Sequence, residues 1–484
     1  MVNAYLLALA AFVATGGRLG EMFGQARIFR IGAIVFVAAS VACGLATSDV
    51  WIISTRAVQG VGAALMIPPS GVLVINAFTV RERGRAMGVY AGISMLGLAL
   101  GPLIGGLLTQ GITWRAVFWI NLPVGLAMLA IARLSLPRDR PDRGARFDWG
   151  GALTLVPGLG LVVLALMQAQ TWGWGSATTL VLLACGAVLV AAFLAIEMRT
   201  RSPLIQLGLF RSRNFTIDNS VLALVQFALT GLSVFGAIYV QELLGFGPID
   251  AGLSLLPLTL ALLVLAPVAG RLYDRLGPRG LVAVGATCIG AALIWLGLVL
   301  DQFAYGWMVA PYVLAGVGLA LVMTPASTDA MNTAPAAYRG EASGVMQTVR
   351  QVGGTVGLAI MATVVATVES DKLTDFAVRV RATPEQRELF GHALAEAQGN
   401  PSALRGVPDG AIDAAEDALT SGIRASFLVA GAVVLVGALI AGLLLRRVRA
   451  ADAEPPAVPV PRTLGAHPAL GAAADRPDPV PDVA

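Results

Sequence analysis

The chain has 484 residues, 57% of them hydrophobic and only 13% charged, where an average soluble domain is roughly 45–50% apolar and 25% charged, so a single water-soluble core is excluded. Its 33 Lys and Arg against 29 Asp and Glu leave a formal charge of +4, which reports membrane orientation rather than a nucleic-acid footprint. Apolar runs of about 20 residues, the length that crosses a bilayer core as helix, recur along nearly the whole chain and number about thirteen. They fall near 1–17, 28–48, 51–76, 86–109, 115–134, 150–169, 177–196, 215–241, 251–271, 280–300, 305–325, 342–367 and 424–445.

The first run leads into Gly17-Arg18-Leu19-Gly20-Glu21-Met22-Phe23-Gly24, and the ninth into Gly270-Arg271-Leu272-Tyr273-Asp274-Arg275-Leu276-Gly277. These are two copies of one phrase, each between two helix-length runs. The repetition predicts a duplicated membrane machine that reuses one hinge loop, with residues 1–134 as the first bundle and 215–449 as the second. In the third run, Arg56-Ala57-Val58-Gln59-Gly60-Val61-Gly62 carries a cation about two turns into the bilayer. Arginine at that depth costs roughly 2.5–3.5 kcal/mol, so Arg56 should face a cavity or a partner. In the fourth run Gly97, Gly101 and Gly105 share one helix stripe beside Pro102 and Gly106. That spacing allows a neighbour to approach closely and the helix to bend, and a purely structural stripe is the alternative.

The runs at 150–169 and 177–196 have no counterpart in a two-by-six repeat, so 135–214 reads as an inserted helix pair with flanking cytoplasmic loops. In the twelfth run Gln347, Arg350 and Gln351 share a helical face and are candidates to line a cavity, or else to form an interhelical hydrogen-bonding stripe. Gln226, with Met66, Tyr90, Met95 and Met323, is a further candidate for an adaptable lining, against which stands ordinary helix packing. Residues 369–422 read as a polar external segment, and Thr383-Pro384-Glu385-Gln386 has the capping-box spacing that should open a short surface helix. Residues 450–484, rich in Pro and Ala, should be a disordered cytoplasmic tail.

Basic residues mark the cytoplasmic ends of spans. Alternate short loops hold Arg18, Arg27 and Arg30, then Arg81, Arg83 and Arg85, then Arg138, Arg140, Arg143 and Arg146, and the series continues to Arg446, Arg447 and Arg449. The opposite short loops offer almost nothing but Arg115. Both copies of the phrase should therefore face the cytoplasm. Trp51, Trp114, Trp172, Trp174 and Trp307 fall at the predicted outer ends, the headgroup layer that indole prefers. An odd number of spans puts Met1 outside with nothing ahead of it to act as a signal, so a first helix is expected to be missing from the given chain. No carboxylate reaches mid-membrane; Asp218 and Asp329 reach about a turn inward from the cytoplasmic side.

The energy source narrows by exclusion. A phosphate-binding loop needs Gly-Lys-Ser/Thr, and the only lysine is Lys372 in Ser-Asp-Lys-Leu, so no nucleotide is expected by that route. His392 and His467 lie in the outer segment and the tail, and Cys43, Cys185 and Cys288 are isolated inside spans, where they read as small buried hydrophobes. No metal site, cofactor, disulfide framework or catalytic constellation is expected.

With these motifs the chain resembles the fourteen-helix drug:proton antiporter branch of the major facilitator superfamily, from about Val2 to Arg447. The resemblance implies an all-α membrane protein with two pseudo-symmetric helix bundles and an inserted pair, resident in the cytoplasmic membrane. It also implies a secondary active transporter, not an enzyme, which exports lipophilic or cationic small molecules in exchange for protons by alternating access. In that family the loop phrase is G-x-L-x-D-R-x-G-R-R. Gly270, Asp274, Arg275 and Gly277 fit it, as do Gly17 and Gly24; Glu21 replaces the acid conservatively, while Met22, Gln25 and Ala26 lose basic positions. Arg56, Gln59, Gly60 and Gly62 match a fourth-helix motif whose arginine is associated with proton coupling. Gly97, Gly101, Pro102, Gly105 and Gly106 match a fifth-helix antiporter motif that marks exporters. Trp114-Arg115, Phe118, Asn121-Leu122-Pro123, Pro203-Leu204 and Leu209-Phe210 extend the likeness. It begins in what would be the second helix, and the family's intramembrane aspartate belongs to the absent first. An uptake carrier of the same superfamily and a truncated, non-transporting membrane protein remain the other readings.

Overall fold

In lipid every backbone N–H and C=O must find its partner within the segment, and the α-helix does so with no open edge. The computed structural model describes residues 2–136, 147–200, 202–380 and 410–446. The first bundle contains α1 (Val2–Phe23), α2 (Gln25–Gly44), α3 (Asp49–Ala77), α4 (Arg83–Gly111), the single turn α5 (Ala116–Trp119) and α6 (Asn121–Ser135). A hairpin of α7 (Trp149–Trp172) and α8 (Ala177–Glu197) follows. The second bundle contains α9 (Arg213–Ile238), α10 (Pro248–Leu253), α11 (Leu256–Leu276), α12 (Pro278–Val299), α13 (Gly306–Thr333), α14 (Arg339–Arg379) and α15 (Ala411–Leu444).

Among the described residues twelve stretches are long and apolar enough to cross a bilayer. α4, at 29 residues, adds a further helix about 43 Å long over the run at 86–109, so every apolar run in the sequence coincides with a helix. The duplication is visible in the packing. α3 lies on α1 and α2 as α13 lies on α11 and α12, and the halves meet where α1 crosses α14 and α4 crosses α11. α7 contacts both α1 and α14, which puts the inserted hairpin along the seam between the bundles. Its Gln170 and Trp174 both donate to Thr363 Oγ1 on α14, at 2.7 and 2.8 Å.

Several expectations need correction. The polar segment 369–422 is helical at both flanks: α14 runs to Arg379 and α15 begins at Ala411, well beyond the apolar runs at 342–367 and 424–445. Hydropathy marks where lipid ends, whereas a helix whose polar side chains are hydrated can continue into water. The run at 115–134 is two pieces broken at Ile120, ahead of Pro123, which has no N–H to give. The run at 215–241 closes on a π turn, Tyr239–Leu243. Cys43 is buried as expected, but Cys185 is exposed and Cys288 half-buried, and all three cysteines are free. The expected surface helix after Thr383, the tail 450–484, and Arg138, Arg140, Arg143, Arg146, His392 and His467 lie outside the described residues.

Candidate functional site

The repeated phrase builds the same joint twice. Gly24 and Gly277 have φ of 100° and 75°, so each phrase ends on a corner that an L side chain would strain, and the next helix begins immediately after it. Gly17 and Gly270 are where each phrase touches the other half. A Cβ on Gly17 would collide with the carbonyl oxygen of Gly340 at the start of α14, and one on Gly270 with that of Gly84 at the start of α4. One turn on, each phrase supplies an acid to the helix N-terminus it has approached. Glu21 Oε1 accepts from Glu341 N at 2.8 Å; Asp274 Oδ1 and Oδ2 accept from Gly84 N and Arg85 N at 3.1 and 3.3 Å. The first N–H groups of a helix have no partner within it and carry its positive dipole end, so each carboxylate fastens one half to the other.

A second pair of contacts repeats across the seam. Arg339 Nη1 donates to Asn76 Oδ1 at 2.7 Å, and Arg83 Nη1 donates to Asn332 Oδ1 at 3.0 Å, so each arginine at a helix start reaches an asparagine at the end of a helix in the other half. Ser343 Oγ also donates to the carbonyl of Pro68 at 3.0 Å. The described hydrogen bonds between the two bundles cluster at this end, which is therefore shut.

The two latches differ in charge. Glu341 occupies the place that Arg85 holds in the other latch, and Arg18 neutralises it: Arg18 Nη1 lies 2.6 Å from Glu341 Oε1 and 3.3 Å from Glu21 Oε2, Arg18 and Glu341 being buried and Glu21 largely so. Glu341 Oε2 also accepts from Gln206 N at 2.7 Å, which ties the irregular segment after the hairpin to the latch. At the second latch Tyr273 donates to Asp329 Oδ1 at 3.0 Å and Asn214 Nδ2 donates to Asp329 Oδ2 at 2.9 Å. Asn332 Nδ2 in turn donates to the Tyr273 hydroxyl oxygen at 3.2 Å. Asp218, fully buried, faces Asp329.

Beyond the latches two cavities open between the bundles. One, of about 280 Å³, is lined by α3, α4, α11, α13 and α14, including Tyr90, Ser94, Met95 and Met323. The other, of about 510 Å³, lies among α1, α7, α9 and α14. Arg350 lines both. The expected cavity residues come together around it: Arg350 Nη1 points at Gln347 Oε1 at 3.5 Å and Nη2 at Gln226 Oε1 at 3.3 Å, while Gln351 lines the larger cavity. Of the adaptable-lining candidates Met66 alone lines neither. The methionines and leucines give walls that can repack around differently shaped apolar guests.

Of two further expected sites, Arg56 meets a partner rather than a cavity, and the glycine stripe is placed differently. Arg56 lines neither cavity; its guanidinium donates to Gln59 Oε1 at 2.9 Å and lies over the rings of Tyr5 and Phe118, at 4.8 and 5.7 Å. Cation–π contact thus does what a carboxylate would otherwise do, and among the described residues no carboxylate pairs with it. Gly97, Gly101 and Gly105 meet no neighbour: a Cβ on any of them would find nothing within 4 Å. The expected close approach along this stripe is not made, because α4 packs on α11 through Gly84 and Gly88 on another face. Gly106 does pack, against Ile249, and Pro102 lies within the continuous helix.

The arginine–asparagine contacts and the role of Glu341 were missed in the sequence. A signal was there: Arg83-Gly84-Arg85-Ala86-Met87-Gly88 and Arg339-Gly340-Glu341-Ala342-Ser343-Gly344 share the pattern R-G-x-A-x-G, a second internal repeat that complements the first.

Against known proteins, residues 1–358 match the family described as Major Facilitator Superfamily. The tetracenomycin C resistance and export protein of Streptomyces glaucescens is 35% identical over 468 residues, covering 95% of this chain and 87% of that protein. The multidrug resistance protein Stp of Mycobacterium tuberculosis is 32% identical over 445 residues, covering 90% and 82%. Among solved structures, the proton:xylose symporter XylE superposes with a TM-score of 0.57 at 14% identity, covering 90% of this chain and 83% of that one, a likeness of fold alone.

Proposed function

The chain belongs to the Major Facilitator Superfamily, and on that premise we propose that it exports lipophilic small molecules, such as drugs, antibiotics or toxic metabolites, across the cytoplasmic membrane in exchange for protons. The observation that carries the reading is a pair of cavities between two bundles whose interlocking contacts cluster at one end. A carrier that rocks needs such an end to break and remake, and a cavity that each state exposes to one side. The names of the relatives, an antibiotic export protein and a multidrug resistance protein, supply the direction and the substrate class.

In this reading the latched end faces the cytoplasm, in keeping with the arginines gathered there, and the structure is the state closed to the cytoplasm. Breaking both latches opens the cavity inward for loading. No nucleotide or cofactor is needed, because a proton moving inward releases about 2.3 kcal/mol per 100 mV, enough to hold a roughly 50-fold solute ratio. Arg56 is the proton-coupling candidate: a guanidinium that among the described residues meets Gln59 and two aromatic rings but no carboxylate leaves its field free to act on a protonatable group that comes within reach.

The test uses everted membrane vesicles containing the chain, acidified inside, and tetracenomycin C as the probe. Accumulation that collapses on adding a protonophore is expected. Accumulation indifferent to the protonophore sinks the proton coupling, and none at all sinks the export.

A further inference from the structure

Arg350 is the only charged side chain among the described residues that line the two cavities. Other arginines among the described residues find anions, aqueous ends or, for Arg56, two aromatic rings that lie under its guanidinium. Arg18 has Glu341 and Glu21, Arg424 pairs with Asp301, and Arg83 and Arg339 lie at helix starts at the latched end. Arg350 is eleven residues into α14 and has neutral acceptors only. Its bonds to Gln347 and Gln226, at 3.5 and 3.3 Å, are longer than the roughly 2.7–2.9 Å of charge-assisted pairs, and its Nε has no hydrogen-bond partner. A guanidinium does not shed its proton, so it cannot escape the cost of burial by becoming neutral. The site is electrostatically complete only when an anion enters.

We propose that Arg350 is the docking group for an acidic function of the substrate, a carboxylate, phenolate or enolate, so that the molecules carried are lipophilic anions. This deepens the export reading and rests on it, and it narrows the expectation drawn from the sequence, which allowed cations. A planar fork of N–H donors fits a carboxylate or a pair of adjacent oxygens in two parallel bonds. Gln226, Gln347 and Gln351 stand beside it as neutral amides that can turn donors toward the same group. The rest of the lining, Met323, Met346 and Leu319 on one side and Leu166, Met167 and Phe235 on the other, suits an apolar body. A lipophilic cation would meet the same apolar walls with a like charge in their midst.

The test is equilibrium binding to the purified full chain in lipid nanodiscs with no proton gradient, read by fluorescence anisotropy. Two dyes of one xanthene skeleton serve as probes: fluorescein, an anion, and rhodamine 123, a cation. Fluorescein should bind more tightly. Arg350→Gln should weaken it by roughly 10- to 150-fold, the equivalent of about 1.5–3 kcal/mol for a hydrogen bond to a charged group, and leave rhodamine 123 bound no worse. Arg350→Lys, which keeps the charge and loses the fork, should fall between. With no ligand, Arg350→Gln should melt at or above the wild-type temperature, since it removes a cation that has no anion. Preference of the wild type for rhodamine 123, no binding of fluorescein, an unchanged fluorescein affinity in Arg350→Gln, or a lowered melting temperature exposing a carboxylate partner would each overturn the proposal. Binding as expected in a chain whose transport ignores protons would sink only the proton-coupled reading.

Discussion

The two latches are built on one backbone plan and stabilised by different means. In both, a glycine of the phrase abuts a backbone carbonyl of the opposite half, an acid one turn later takes up helix-start N–H groups, and an arginine reaches across to an asparagine. In the latch on α14 a buried glutamate stands at the helix start and an arginine must answer it; in the latch on α4 the equivalent residue is Arg85, and among the described residues no such pair forms. Where backbone meets backbone the copies have stayed alike, since a Cβ there has no room. Side chains beyond that contact have diverged. One latch is thus ionic, the other dipolar.

The sharpest way to break this symmetry is Arg18→Ala. It strands Glu21 and Glu341 in a buried site with no cation, for which about 3–5 kcal/mol is expected, and the purified protein should melt far lower. Arg271→Ala is the same change in the other copy, at an exposed position, and should stay within about 0.5 kcal/mol. Equal losses would mean that the two latches are not held by different forces.

Next in size come the glycines, where the copies should behave alike. Gly17→Val and Gly270→Val each drive a side chain into a carbonyl of the facing helix, an overpacking cost of about 1–3 kcal/mol that opening the latched end relieves. Spin labels at Glu82 and Leu276, both in exposed positions beside the second latch, should move apart in Gly270→Val. An unchanged distance would show that the crossing can adjust while remaining shut.

These glycines were legible in the sequence because the phrase repeats, and so were the helices, since lipid imposes length and apolarity on every span. Gln347, Arg350 and Gln351 were legible too, through helical spacing. Glu341 was not: hydropathy places an acid near a helix end and says nothing of the arginine more than three hundred residues away that makes its burial tolerable. The stripe of Gly97, Gly101 and Gly105 shows the opposite failure. Small residues permit close approach, but whether a neighbour uses the permission is a tertiary fact.

A smaller effect separates the two acids. Asp274→Asn removes the only charge the second phrase presents to α4, so a loss within the roughly 0.3–2 kcal/mol of a carboxylate at a helix N-terminus is expected. Glu21→Gln should cost less. Its amide oxygen can still accept from Glu341 N, and Arg18, released from Glu21, remains with Glu341 alone. A double substitution should be additive within about 0.5 kcal/mol if the latches act independently, and a large coupling term would show that they open as one unit.

The smallest effect is expected far from both latches, where α14 and α15 extend past the apolar runs. Lys372 Nζ lies 2.7 Å from Asp417 Oδ2, close to the 2.6 Å of Arg18 and Glu341 in the ionic latch, yet these side chains are 40% and 66% exposed. Water already solvates both charges, and holding two long side chains in place costs entropy, so the pair should contribute about 0–1 kcal/mol and less in high salt. Lys372→Ala should therefore leave the melting temperature nearly unchanged, where Arg18→Ala lowers it severely at a similar ion-pair distance. The contrast between those two substitutions isolates burial as the quantity that makes one contact a latch and the other a surface pair. A Lys372→Ala protein as damaged as Arg18→Ala would mean that the polar extensions close the opposite end of the molecule.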